Sequence, residues 1–143
     1  MKKHGFILHK LTIAMFVLLA FGTVHAQSEA PVLRVNIPFS FNIGSQKFPA
    51  GDYSLKTLSQ HTIIVQNQSG ESVTNFFTNS VESRQVSDSG KLIFHNYEGR
   101  RFLAEMWQPG SSVGQEVIKS TIELELAKAS HLEPITLAFA THR

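Results

Sequence analysis

The side chains best equipped for chemistry lie in one short stretch, Lys91 to Trp107, where His95, Tyr97, Arg100, Arg101 and Glu105 alternate with apolar residues. An imidazole, a phenol and a guanidinium on one side of a strand pair could line a cleft and bind an anionic or sugar-like ligand. His95, Tyr97 and Arg100 are therefore the candidate ligand-binding residues. The same types also have a structural use. A guanidinium laid over a tyrosine ring on the facing strand makes a cation–π contact, and a histidine can hydrogen-bond within the sheet. That use is favoured here, because the polar residues are interleaved with Ile, Phe, Leu and Met as in any half-buried hairpin.

Other chemistries find little material. Beyond residue 26 the histidines are His61, His95, His131 and His142. None forms a His-x-His or i, i+4 pair, and the chain has no cysteine to complete a metal site. Neither a Gly-x-Ser-x-Gly elbow nor a Ser-x-x-Lys is expected, and single turn glycines cannot cradle a phosphate as a P-loop does. No catalytic residue, metal ligand or cofactor is nominated.

The elements that position the candidate residues read mainly as strands. Leu33, Val35, Ile37, Phe39, Phe41 and Ile43 recur with period two, so the stretch reads as a long strand with one buried face. Pro38 donates nothing to a ladder and puts an edge or a bulge there. Pro49-Ala50-Gly51-Asp52 is a turn leading into a strand from Tyr53. Thr62–Gln66 and Ser72–Thr78 are strands joined at Ser69-Gly70, with Phe76 and Phe77 on opposite faces. Asn79 to Gly90 and Pro109 to Gly114 read as loops.

Leu92–Tyr97 and Arg100–Trp107 form a hairpin about Glu98-Gly99. A two-residue loop sets Tyr97 opposite Arg100 and His95 opposite Phe102. Strict alternation then places Met106 with His95 and Tyr97, and Glu105 and Trp107 on the other side. Both sides are half apolar, which predicts a central hairpin covered on each face. Ser120-Thr121-Ile122-Glu123 has the Ser-x-x-Glu form of a capping box and starts a helix to about Ser130. Ile122, Leu126 and Ala129 form its apolar stripe. Glu125 and Lys128 pair on the wet face, which also takes Glu123. Ile135–Thr141 is the last strand.

The order Pro49-Ala50-Gly51-Asp52-Tyr53, Phe94-His95-Asn96-Tyr97, Arg101-Phe102-Leu103, Lys119-Ser120 and Glu123 with Leu126-Ala127-Lys128 resembles a family of small secreted hypothetical proteins of acidobacterial type. The resemblance covers most of the chain after residue 26 and departs from the family pattern at Asn96 and at the Glu98-Gly99 turn. It implies a compartment and a fold, and no activity.

Composition agrees on the compartment. Lys2, Lys3 and Lys10 precede and flank an apolar run, Leu11 to Gly22, and Val24-His25-Ala26 ends it with small residues at the −3 and −1 positions. These are the three parts of a secretory signal peptide cleaved after Ala26. The run is shorter than the roughly 20 residues a spanning helix needs, so no membrane anchor is expected after cleavage. Of 13 basic residues three lie in this segment, leaving 10 against 11 acidic ones, a net charge of −1. That balance argues against a nucleic-acid partner.

The expectation is a single domain over residues 27–143. It is a mainly β, antiparallel sandwich or partly closed barrel of about seven strands with one C-terminal helix. It is exported to the periplasm or beyond as a non-enzymatic envelope protein with a structural or protein-interaction role, whose partner is another envelope protein or a second copy of itself. The alternatives are a small-ligand carrier, which needs a concave pocket, and a hydrolase, which needs a nucleophile, a base and a stabilising donor together.

Overall fold

A computed structural model describes residues 32–139. The expected signal peptide, residues 1–26, lies outside the described residues. The strands are β1 (Val32–Ile37), β2 (Phe41–Ile43), β3 (Gln46–Phe48), β4 (Gly51–Ser59), β5 (Thr62–Gln66), β6 (Ser72–Glu82), β7 (Gly90–Tyr97), β8 (Arg100–Trp107), β9 (Val113–Val117) and β10 (Glu133–Phe139). A single helix among the described residues, α1 (Thr121–Ala129), precedes β10. The protein is mainly β and sandwich-like, and its sheet does not close.

The ten strands correct the expected seven. The period-two run from Leu33 is two strands, because Pro38 cannot donate to a ladder and the chain changes partners there. β1 pairs with β4, whereas β2 pairs with β3 and β8. The alternation survives the break: Leu33, Val35, Ile37, Phe41 and Ile43 are all buried. β3 is a short return strand, and β9 (Val113–Val117) forms where the sequence suggested a loop up to Gly114. Every pairing is antiparallel except β2 with β8, a parallel bridge at Asn42–Phe102, where the Asn42 amide donates to the Arg101 carbonyl at 3.0 Å.

β6 carries the sheet from one layer to the other. Its first half pairs with β5 and its second half with β9. Thr78 stands at the change of partner, buried, with its hydroxyl 2.6 Å from the Gln115 side-chain oxygen. Two layers thus face each other, β1-β4-β5 with the start of β6, and the rest of β6 with β9, β8, β7 and β10.

Between the layers lies one apolar cluster drawn from β1 to β9, including Ile37, Ile63, Val65, Leu92 and Leu103. Its centre is aromatic. Phe41 meets Tyr53 edge-on at 5.3 Å and Phe94 at 5.7 Å, and Phe39 meets Phe94 at 5.1 Å. Edge-to-face pairs at such separations each add roughly 0.5–1.5 kcal/mol to the area they bury.

The β7–β8 hairpin is central and covered on both faces. Glu98 (φ 52°) and Gly99 (φ 90°) both adopt the positive φ of a two-residue turn whose twist matches the strands. Tyr97 pairs with Arg100 and His95 with Phe102. The far half of the hairpin departs from strict alternation. Phe94 pairs with Leu103 and Ile93 with Glu105, so Ala104 is an extra residue, a β-bulge. One inserted residue reverses the facing of everything beyond it. Met106 therefore joins Leu92, Phe94 and Leu103 in the core, while Glu105 and Trp107 move to the side of His95.

Candidate functional site

The second face of the hairpin carries the three candidate residues, and α1 lies over two of them. Ser120 caps the helix, its hydroxyl accepting from the Glu123 backbone N–H at 3.2 Å. This is half of the expected capping box. In the full motif the Glu side chain returns to the cap. Here it turns to the sheet, where His95 Nδ1–H donates to Glu123 Oε1 at 3.0 Å.

Glu123 is 3% exposed and is the single buried charged residue among those described. The His95 side chain is 13% exposed. An imidazole in this contact supplies the donor that a carboxylate out of water requires. Tyr97 is buried beside them, its ring 6.1 Å from His95 and 6.1 Å from Phe102. Burial pushes the Tyr97 phenol above its ordinary range, and the negative charge of Glu123 pushes it the same way.

The helix is therefore rolled from its expected orientation. At 100° per residue, turning Glu123 inward brings Leu126 and Ser130 down with it and swings Ile122 and Ala129 to the flank. Ile122 is 41% exposed and Ala129 is exposed, so two of the three residues of the apolar stripe stay off the sheet. Glu123 leaves the wet face to Glu125 and Lys128, which pair at 2.9 Å as the spacing suggested.

Arg100 does not share the buried site. It stands exposed beyond the turn, with its guanidinium over the Phe102 ring at 5.8 Å, where the sequence suggested the Tyr97 ring. The fold thus brings His95 and Tyr97 together with Glu123 and leaves Arg100 outside. Between Arg100 and the helix runs an open groove of about 520 Å³, lined by Arg100, Thr121, Ile122, Glu125, Leu126 and Ala129.

The one participant sequence reasoning missed is Glu123. Its signal was present, since a Glu at the third helical position reads equally as a capping residue or as a side chain free to turn inward. A second omission is a motif. Gly110-Ser111-Ser112-Val113-Gly114 spells Gly-x-Ser-x-Gly, the nucleophile-elbow pattern. The elbow places its serine between a strand and a helix. Here Ser112 leads from a turn into strand β9, its carbonyl accepting from the Ser83 N–H at 2.8 Å. The context is not that of the elbow.

A histidine oriented by a carboxylate is two parts of a hydrolytic triad. Among the described residues, no hydroxyl side chain is hydrogen-bonded to His95. No described helix is long and apolar enough to cross a membrane.

Comparison with protein-family models, with curated proteins and with solved structures finds no match to this chain.

Proposed function

We propose that the chain is an exported, non-enzymatic envelope protein with a structural or protein-interaction role, working through the surface around α1. One observation carries the reading: the helix buries a carboxylate while Ile122, on its flank, stays 41% exposed. An amphipathic helix serving only its own core would do the reverse, since each apolar side chain buried is worth roughly 1.5–3 kcal/mol and a buried charge is costly unless paired. The His95–Glu123 contact fastens the helix in an orientation that keeps its apolar flank available to another surface.

The interior supports the same reading. The space between the layers is occupied by Phe41, Phe94, Ile37, Ile63 and Leu92, all under 2% exposed, where a carrier would hold its ligand. Export rests on the three-part segment ending at Ala26.

The test places a photo-crosslinking residue at Ile122, and in a control at Gln68 on the β5–β6 turn, in cells that express the chain with its own leader. Expected are a mature N-terminus at Gln27 in the periplasmic or extracellular fraction, and adducts from position 122 but not 68. Retention of the full chain in the cytoplasm would overturn the export. Hydrolysis of simple esters that disappears in His95→Ala would overturn the non-enzymatic reading.

A further inference from the structure

We propose that the groove between Arg100 and α1 is a self-association surface, occupied in solution by a second copy of this chain around a two-fold axis. The inference deepens the contact reading above and rests on it. Two-fold interfaces require a patch that is complementary to itself. The groove has the makings of one, lined by a guanidinium from the sheet (Arg100), a carboxylate from the helix (Glu125), and the apolar Ile122, Leu126 and Ala129. Antiparallel docking of two α1 helices sets the apolar residues of each copy against those of the other. It also brings Arg100 of one copy to Glu125 of the partner subunit, twice.

The groups are free to make these contacts. Arg100 has no carboxylate within ion-pair distance among the described residues, and Glu125 is held only by Lys128, at 2.9 Å on the open surface. An exposed pair of that kind is weak and is readily exchanged. Thr121 and Ala129 are small enough to let helix axes approach to the usual 8–10 Å. A helix of nine residues makes a modest contact, so the dimer belongs at the small, reversible end of interfaces.

Sedimentation of the exported protein across the micromolar range tests this, with melting curves to confirm that each surface variant folds. The wild type shifts from monomer to dimer with concentration. Arg100→Glu and Glu125→Arg each set like charges face to face and abolish the shift. The combined charge exchange, R100E with E125R, restores it, and Ile122→Ser, which keeps every charge, abolishes it. A wild type that stays monomeric overturns the inference. So do single reversals that leave association unchanged, or a charge exchange that fails to restore it. None of these outcomes touches the crosslinking test, where an adduct with a different protein supports the contact role alone.

Discussion

Removing either half of the His95–Glu123 contact should destabilise the protein by unequal amounts, and the inequality is the informative quantity. The two side chains meet at 3.0 Å, 13% and 3% exposed. In His95→Ala the carboxylate stays under the helix without its donor. Breaking a buried pair this way costs about 3–5 kcal/mol, because a charge is left uncompensated. In Glu123→Ala what is left is one ring N–H without its acceptor. The loss is then that of a buried hydrogen bond, about 1–3 kcal/mol. The cap is unaffected, since the backbone N–H of residue 123 still reaches Ser120.

Urea unfolding measures both values, and at about 4 °C per kcal/mol for a domain of this size the first variant should melt roughly 12–20 °C below wild type. The double variant should cost less than the sum, because each single change already removes the interaction. A cost for His95→Ala below about 1 kcal/mol, or one smaller than that of Glu123→Ala, would refute the reasoning. It would mean that Glu123 reaches water without the imidazole and that the pair does not hold the helix down.

Gly114→Ala should destabilise by roughly 1–3 kcal/mol, as overpacking does, because a Cβ there would lie 2.6–2.8 Å from the Trp107 ring; calorimetry checks it. Glu98→Asn should stabilise by about 0.5 kcal/mol, since Asn-Gly suits a turn with two positive φ angles better than Glu-Gly, and Glu98 holds φ at 52°; the shift in melting temperature checks it. The phenols of Tyr53 and Tyr97 are both raised, Tyr53 by burial and Tyr97 by burial and by Glu123. Groups raised in the folded state give stability that is intact below the unfolded phenol value of about 10 and is lost as pH climbs through the folded values. Alkaline unfolding should therefore coincide with tyrosinate absorbance, and Glu123→Gln should move the Tyr97 titration downward by removing the charge.

The strand content was legible because buried faces at period two leave a pattern that needs no knowledge of partners. The hairpin at Glu98-Gly99 was legible for the same reason, and its near half kept the inferred register: Tyr97 opposite Arg100, His95 opposite Phe102. Its far half did not. A bulge at Ala104 reverses facing by one residue, and nothing local to Ala104 announces it. β9 escaped notice because Val113-Gly114-Gln115 has weak strand propensity and forms a strand only where β6 and β8 offer edges.

By itself the sequence determined the mainly β class, the helix and its Ser120 cap, the Glu125–Lys128 pair, and the presence of a hairpin bearing His95, Tyr97 and Arg100. Local propensity and spacing suffice for such features, since each rests on residues a few positions apart. Tertiary structure alone decided which of those residues act together. Glu123 lies 28 positions from His95, and a separation of that size leaves no mark in local spacing. Whether the side chain caps its own helix or turns under it depends on what the sheet presents there. His95 offers a donor, so the helix rolls toward it, Tyr97 is enclosed, and Ile122 is left beside Arg100 at the surface.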